Sequence, residues 1–232
     1  MFEIIILSIV QGITEFLPIS SSSHLLIISK ITNFSYASLL LDISLHIGSF
    51  FAVLIYFRNE IVEIFKDINK LIFLITAVFP ILVIGFIFSK TGFIDNLRNL
   101  EVIGWMTIIF GFLLFLSDKS QTKKNYSKNF HLKDALIIGF VHSLAIIPGV
   151  SRSGISITVC RFLSYNRVDS AKISFLLSIP TLLVISIFGI YNLNLNDNIN
   201  FKEINYLAIL GSFIFSYITI KFFLEYLKKF SL

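Results

Sequence analysis

Two apolar stretches in this chain are broken in the middle by proline, serine and charge, and that pattern restricts the fold more than any other feature. Residues 2–17 are apolar up to Pro18; a run of four serines and His24 follows; residues 24–31 are apolar again. Residues 134–147 are apolar, Pro148–Gly154 (PGVSRSG) is polar, and 155–163 resumes. No half reaches the ~17 continuous apolar residues that a crossing of the bilayer needs. Each pair is therefore expected to enter and leave on one side, as a re-entrant helix–loop–helix. Irregular polar backbone persists at that depth only when protein buries it or when it lines a wet cavity.

The rest of the chain supplies the membrane setting. Only 14% of the 232 residues are charged, 56% are hydrophobic, and the mean hydropathy is +0.86; soluble domains carry about 25% charged residues. Full spans are expected at 37–57, 71–89, 101–117, 170–191 and 204–227, with a kink or local unwinding at Pro80 and Trp105 as an interfacial anchor. Lys and Arg concentrate in the 58–70 loop, in the lysine-rich 118–133 loop and at Lys228 and Lys229. These three groups fall on one side, the cytoplasmic one by the positive-inside rule. The 90–100 and 192–203 loops fall on the other. The first broken pair then enters from outside and the second from inside, as in an inverted repeat. The expected fold is all-α and polytopic, a single membrane domain over 1–232. It comprises a first repeat at about 1–117, a cytoplasmic loop at 118–133 and a second, shortened repeat at about 134–232. Symmetry calls for one more C-terminal helix than the sequence has. The formal charge of +5 marks cytoplasmic loops rather than nucleic-acid binding. Cys160, the single cysteine, allows no internal disulfide and reads as a small apolar packer.

The chemistry is expected at the two breaks. Gln11 and Glu15 are four residues apart and share a helix face. A carboxylate at membrane depth needs a partner, water or a metal. Ser20, Ser21, Ser22 and Ser23 open a helix, where hydroxyls and free N–H groups suit an anion; some of them simply cap it. His24 can act as an acid or base near neutral pH. Arg152 has a planar fork that suits phosphate, with Ser151 and Ser153 on either side and Ser156 one turn on. An ion pair with Glu15 is the structural alternative for Arg152. His46 and His142 read as structural or gating residues, Asp42 and Arg161 as interfacial, and His131 as a bystander in a loop. These groups fit either phosphoryl chemistry on a lipid or transport of an anion.

QGITEFLPISSSSH resembles the first signature of the undecaprenyl-diphosphatase family, the bacitracin-resistance membrane phosphatases, and PGVSRSGIS resembles the second. The likeness runs from about residue 3 to the C-terminus and includes LHIGSFFAVLIYF and SFLLSIP. It implies two re-entrant pairs in an inverted repeat and hydrolysis of undecaprenyl diphosphate, a polyprenyl diphosphate lipid, in the bacterial inner membrane. The site would open to the outer face and recycle the carrier lipid for cell-wall synthesis. It further implies a divalent cation, Mg or Ca, held by Glu15 with Gln11. Ser21 would be the candidate nucleophile, His24 a base or acid, and Arg152 the diphosphate clamp, with Ser20, Ser22, Ser151, Ser153 and Ser156 around the phosphates. The attacking group is left open among Ser21, His24 and an activated water. The bilayer and the lipid are the expected partners, and a second copy of the chain is a further candidate.

Three residues depart from the family pattern. Gln11 stands where many relatives have Glu, Ser156 stands for Thr, and Ser23 stands where Gly is common. Any need for positive φ at residue 23 would then be relaxed or strained. The family's last hydrophobic helix, the one that symmetry requires, is expected to be missing after KKFSL. A lipid-phosphate flippase or anion transporter on the same inverted repeat is the alternative function. The Ser–His–Glu grouping favours hydrolysis, because transport needs neither base nor nucleophile.

Overall fold

The computed structural model describes residues 2–32, 38–92, 97–196 and 202–230. Parts of the expected loops (93–96 and 197–201) and Ser231–Leu232 lie outside them. The described chain is helical: α1 Phe2–Thr14, α2 Ser21–Thr32, α3 Leu39–Tyr56, α4 Arg58–Lys66, α5 Ile68–Thr91, α6 Leu100–Asp118, α7 Tyr126–Asn129, α8 Leu132–His142, a 3-10 turn Ser143–Ile146, α9 Arg152–Phe162, α10 Arg167–Asn196 and α11 Glu203–Leu227. Its β-type pairing is one isolated bridge, Lys124 with Tyr165. Five helices among the described residues are long and apolar enough to cross a bilayer: α3, α5, α6, α10 and α11. The protein is thus an all-α, multi-pass membrane protein.

Two local expectations change. The polar run after Tyr56 is not simply a loop, since α4 forms there; its sequence RNEIVEIFK places apolar residues at helical spacing among charges. The helix α5 continues through Pro80 without unwinding. Membrane helices tolerate such a proline because neighbours and local adjustment satisfy the freed carbonyl.

Contacts fix the direction of each element. Ser8 meets Gly211 and Gly12 meets Phe215 and Ser216, while Gly48 meets Ile209 and Ser212, so α1, α3 and α11 run parallel. A Cβ on Gly48 would lie 2.3 Å from the Ile209 carbonyl oxygen, and one on Gly12 would lie 2.5 Å from Phe215 Cβ. Small residues admit this backbone approach, which is how membrane helices associate without a hydrophobic drive. Helix α10 runs the other way, its Gly189 against Ile43. Tyr126, in the 118–133 loop, lies within electrostatic reach of Glu60, Glu63 and Asp67, and Tyr56 within reach of Glu225 and Lys228. The three lysine-rich segments therefore share one end of the molecule. The start of α3 lies at the other end, where Asp42 is near Arg98.

The broken pairs enter from these opposite ends. Helix α1 starts beside the start of α11, whereas α8 and α9 begin and finish at the 118–133 end, where Asp134 and Tyr165 meet. At 13 and 11 residues, α1 and α9 are about 20 and 16 Å long, well short of a ~30 Å hydrocarbon core. Their breaks meet inside the bundle over buried aromatic residues. Phe16 packs edge-on to Phe175 at 5.3 Å, and Phe175 also contacts Phe57 and Phe223.

Candidate active site

Helix α1 ends at Thr14, and the chain turns through Glu15–Ser20 before α2 starts at Ser21. The turn needs a left-handed residue, and Ser20 supplies it with φ 56°. Ser23 lies inside α2, and its hydroxyl bonds to that of Ser20 at 3.0 Å. The position requiring positive φ is thus Ser20 and not Ser23, so the Cβ at 23 is accommodated as in any helix. In the second break Gly149 takes φ 94°, and a Cβ there would lie 2.6 Å from the Ile103 carbonyl. Ser151 caps α9 by accepting from the Gly154 N–H at 3.0 Å, which leaves Arg152 as the first helical residue. Two helix N-termini, of α2 and α9, thus converge inside the membrane, and both favour negative charge.

Glu15 occupies the convergence point and is 5% exposed. Its Oε1 pairs with Arg152 Nη2. Its Oε2 accepts from Ser21 Oγ and, at 3.0 Å, from Gln11 Nε2, with His46 Nε2 3.9 Å away. Four groups, from α1, α2, α3 and α9, therefore surround one carboxylate. The second fork nitrogen of Arg152, Nη1, donates to Thr181 Oγ1 at 2.9 Å. Thr181 follows Pro180 in α10 and was not singled out in the sequence. Its position right after the proline of SFLLSIP was the available signal.

The other expected residues are placed as follows. His24 Nδ1 bonds to the Ser20 carbonyl at 2.8 Å, and His46 Nδ1 to the Asp42 carbonyl at 2.8 Å. A carbonyl only accepts, so each Nδ1 carries the proton and each Nε2 is the nitrogen left for chemistry. His46 thereby joins the site, which the sequence reading had not favoured. No bond links His24 to Ser21 or Glu15 among the described residues. Ser22 is exposed. Ser151 and Ser153 join at 3.2 Å, and Ser153 Oγ donates to the Leu17 carbonyl at 2.7 Å, which ties one break to the other. Ser156 is buried and donates to the Arg152 carbonyl at 3.1 Å. Those two hydroxyls hold backbone in this arrangement. His142 is buried on α8, and among the described residues its Nδ1 has no hydrogen-bond partner.

Arg161 lies near a membrane boundary as expected, at the 118–133 end of α9, but it is packed within protein at 2% exposure. Its guanidinium donates to the carbonyls of Tyr165 (2.5 Å), Ser120 (2.7 Å) and Asp118 (2.9 Å). Asp118 is itself held bidentately by Arg167, at 2.6 and 2.9 Å. Tyr165 OH donates to Asp134 at 2.5 Å, and burial together with that bond raises the phenol above its ordinary range, keeping it a donor. This cluster pins the far end of α9, the helix whose first residue is Arg152.

Known proteins resemble this chain over nearly its whole length. Residues 4–232 match the family described as bacitracin resistance protein BacA. An undecaprenyl-diphosphatase of Pelagibacter ubique is 49% identical over 99% of this chain and 90% of its own length. One from Alteromonas mediterranea is 37% identical over 99% and 91%, and one from Jannaschia sp. is 36% identical over 82% and 76%. With a match that includes both breaks and nearly every described helix, the chain belongs to the bacitracin resistance protein BacA family.

Proposed function

We propose that this chain hydrolyses undecaprenyl diphosphate to undecaprenyl phosphate and inorganic phosphate, which returns the carrier lipid to cell-wall synthesis. The observation that carries the reading is the convergence of Arg152 and two helix N-termini on a buried carboxylate already bonded to the Ser21 hydroxyl. The protein works in the bacterial inner membrane with its lysine-rich end in the cytoplasm. The site is reached from the outer face, since His46 lies two turns from the opposite end of α3 and both His46 and Arg152 keep partial exposure (16% and 17% of their side chains).

The resting ion pair gives a sequence of events. An arriving diphosphate competes with Glu15 for the Arg152 fork, which grips phosphate oxygens while Thr181 steadies Nη1. Glu15, released from Arg152, keeps its contact with the Ser21 hydroxyl. It takes the proton of Ser21, and the Ser21 oxygen attacks the terminal phosphorus. The bond from that phosphorus to the bridging oxygen breaks, and undecaprenyl phosphate leaves as its anion. Water then cleaves the phosphoserine, its proton passing to Nε2 of His24 or His46 and its hydroxyl to phosphorus, while Glu15 returns its proton to the departing Ser21 oxygen. The N-termini of α2 and α9 stabilise the charge that develops on the phosphoryl oxygens.

A divalent cation, Mg or Ca, fits the residues present. No group of three or more His, Cys, Asp or Glu forms among the described residues. However, Gln11 Oε1, on the side of the amide turned away from Glu15, is buried without a hydrogen-bond partner among the described residues, so the two residues offer a carboxylate and an amide oxygen. Two oxygens suit a hard cation that takes its remaining ligands from water and phosphate. Such a cation would be held by Glu15 and Gln11, and when bound it would neutralise diphosphate charge.

Phosphate release from undecaprenyl diphosphate by purified protein with Mg or Ca tests the reading. Arg152→Ala and Glu15→Gln should each lower kcat/KM by about 10³-fold. Acid quench of wild type should trap phosphate on Ser21. Absence of release by wild type, with lipid movement across vesicles instead, would support the carrier reading.

A further inference from the structure

Three serines in the membrane interior have no part in the site as described so far. Ser49 on α3 and Ser212 and Ser216 on α11 are all fully buried. Ser212 Oγ donates to the Leu45 carbonyl at 2.7 Å, and the single Ser49 hydrogen goes either to Ser212 Oγ at 3.0 Å or to the same Leu45 carbonyl at 3.3 Å. Ser216 Oγ donates to Ser49 at 3.0 Å. Ser49 thus has one lone pair left, and Gln11 Nε2 points to it at 3.4 Å. The same Nε2 donates to Glu15 at 3.0 Å. Both neighbours of that nitrogen, the Ser49 lone pair and the Glu15 carboxylate, require a donor. The Gln11 amide can therefore sit only one way round, with Nε2 toward them and Oε1 away.

We infer that Ser49, Ser212 and Ser216 are positioning residues for the reaction: they fix the Gln11 amide, and through it the plane of the Glu15 carboxylate that faces Ser21. The backbone packing fits this role. Gly48 and Gly12 bring α3 and α1 against α11 so closely that its hydroxyls reach the seam. The ladder also extends outward, with Asn205 Nδ2 donating to Ser44 Oγ at 3.1 Å, so α11 is registered on α3 at two levels. Helix α11 thereby belongs to the site although no hydrogen bond or ion pair among the described residues links it to Glu15 directly. Arg152 sets one oxygen of that carboxylate, and the serine ladder, through Gln11, sets the other.

The inference rests on the proposed use of Glu15, and the test separates the two. Phosphate release is measured over a range of undecaprenyl diphosphate concentrations for Ser49→Ala, Ser212→Ala/Ser216→Ala, Gln11→Ala and Gln11→Ala/Ser49→Ala. Ser49→Ala and the α11 double variant should each lower kcat by about 10–100-fold, the size typical of lost orienting partners, with KM little changed. Adding Ser49→Ala to Gln11→Ala should cost nothing further, because Ser49 acts only through Gln11. Thr219→Ala, on the same helix with its hydroxyl bonded to the Phe215 carbonyl, should leave both constants unchanged. Wild-type kcat in Ser49→Ala and in the α11 double variant, or losses that add in the cycle, overturn the inference. If Ser49→Ala fails to fold, the α11 double variant decides alone. Full activity in Glu15→Gln would instead overturn the site reading itself.

Discussion

The first hairpin brings Gln11, Glu15, Ser21 and His24 to its break, whereas the second brings Arg152 and three serines but no carboxylate. Both are short apolar helices interrupted at a proline, and they meet through the Ser153–Leu17 bond. Their second helices differ in how firmly they are held. Helix α9 packs on α6, α8 and α10, its preceding Gly149 nests on Ile103, and its far end is caged at Arg161. Helix α2 makes its main contact with α1, and the turn before it contains a left-handed Ser20. The fixed guanidinium thus sits on a clamped helix, while Ser21 and His24 sit on the lightly held α2. That division suits a diphosphate clamp that must stay in place while Glu15 changes partner.

Exchange of the two charges is the most severe test of the division. Glu15→Arg or Arg152→Glu alone places like charges side by side at membrane depth, and each should abolish phosphate release, a loss of about 10³-fold or more. The double exchange re-forms an ion pair and should recover folded yield in detergent. It should not recover turnover, because the carboxylate then stands on α9, away from Ser21. Turnover returning with the pair would mean that the hairpins are interchangeable and the contact is structural.

The cage around Arg161 predicts the next largest effect. Arg161→Leu leaves three carbonyls without a donor in a buried place, a destabilisation of about 3–5 kcal/mol. Thermal unfolding in detergent should show a clear fall in Tm, with modest change in kcat for the protein that remains folded. An unchanged Tm would remove the claim that α9 is the clamped helix.

The spans, the two breaks and the pairing of Glu15 with Arg152 were legible because hydropathy, proline and intramembrane charge are strong signals over short windows. The serine ladder was not, since single hydroxyls in apolar helices disturb no periodicity and Ser49 meets Ser212 across 163 residues. The four-residue spacing of Ser212 and Ser216 was a usable hint that they share a face. The cage around Arg161 was hidden because its partners are backbone carbonyls, which no sequence pattern displays. His46 was undervalued for a similar reason: its route to Glu15 depends on how α3 lies against α1. Helix α4 was hidden by its charges, which outweigh its apolar spacing.

Thr181→Val tests how much the clamp depends on its own support. The substitution keeps shape and removes the acceptor for Arg152 Nη1, a bond worth about 1 kcal/mol. That corresponds to roughly fivefold in kcat/KM, expressed mainly in KM because Arg152 grips substrate. A kcat effect with unchanged KM would place Thr181 in the chemical step instead.

The smallest effect probes the turn at the first break. Ser20→Ala removes the bond to Ser23 and keeps a Cβ at φ 56°, whereas Ser20→Gly removes the same bond and also the Cβ. Since a left-handed residue with a side chain costs about 1 kcal/mol more than glycine there, the Gly variant should be the more stable of the two by that amount. Ser23→Gly should act in the opposite direction. Residue 23 is helical, and glycine inside a helix costs about 0.5–1 kcal/mol relative to alanine. Unfolding midpoints of Ser20→Gly, Ser20→Ala, Ser23→Gly and Ser23→Ala read both differences directly. If the order inverted, with glycine favoured at 23 and disfavoured at 20, the strained position of the first hairpin would lie three residues later than the backbone places it.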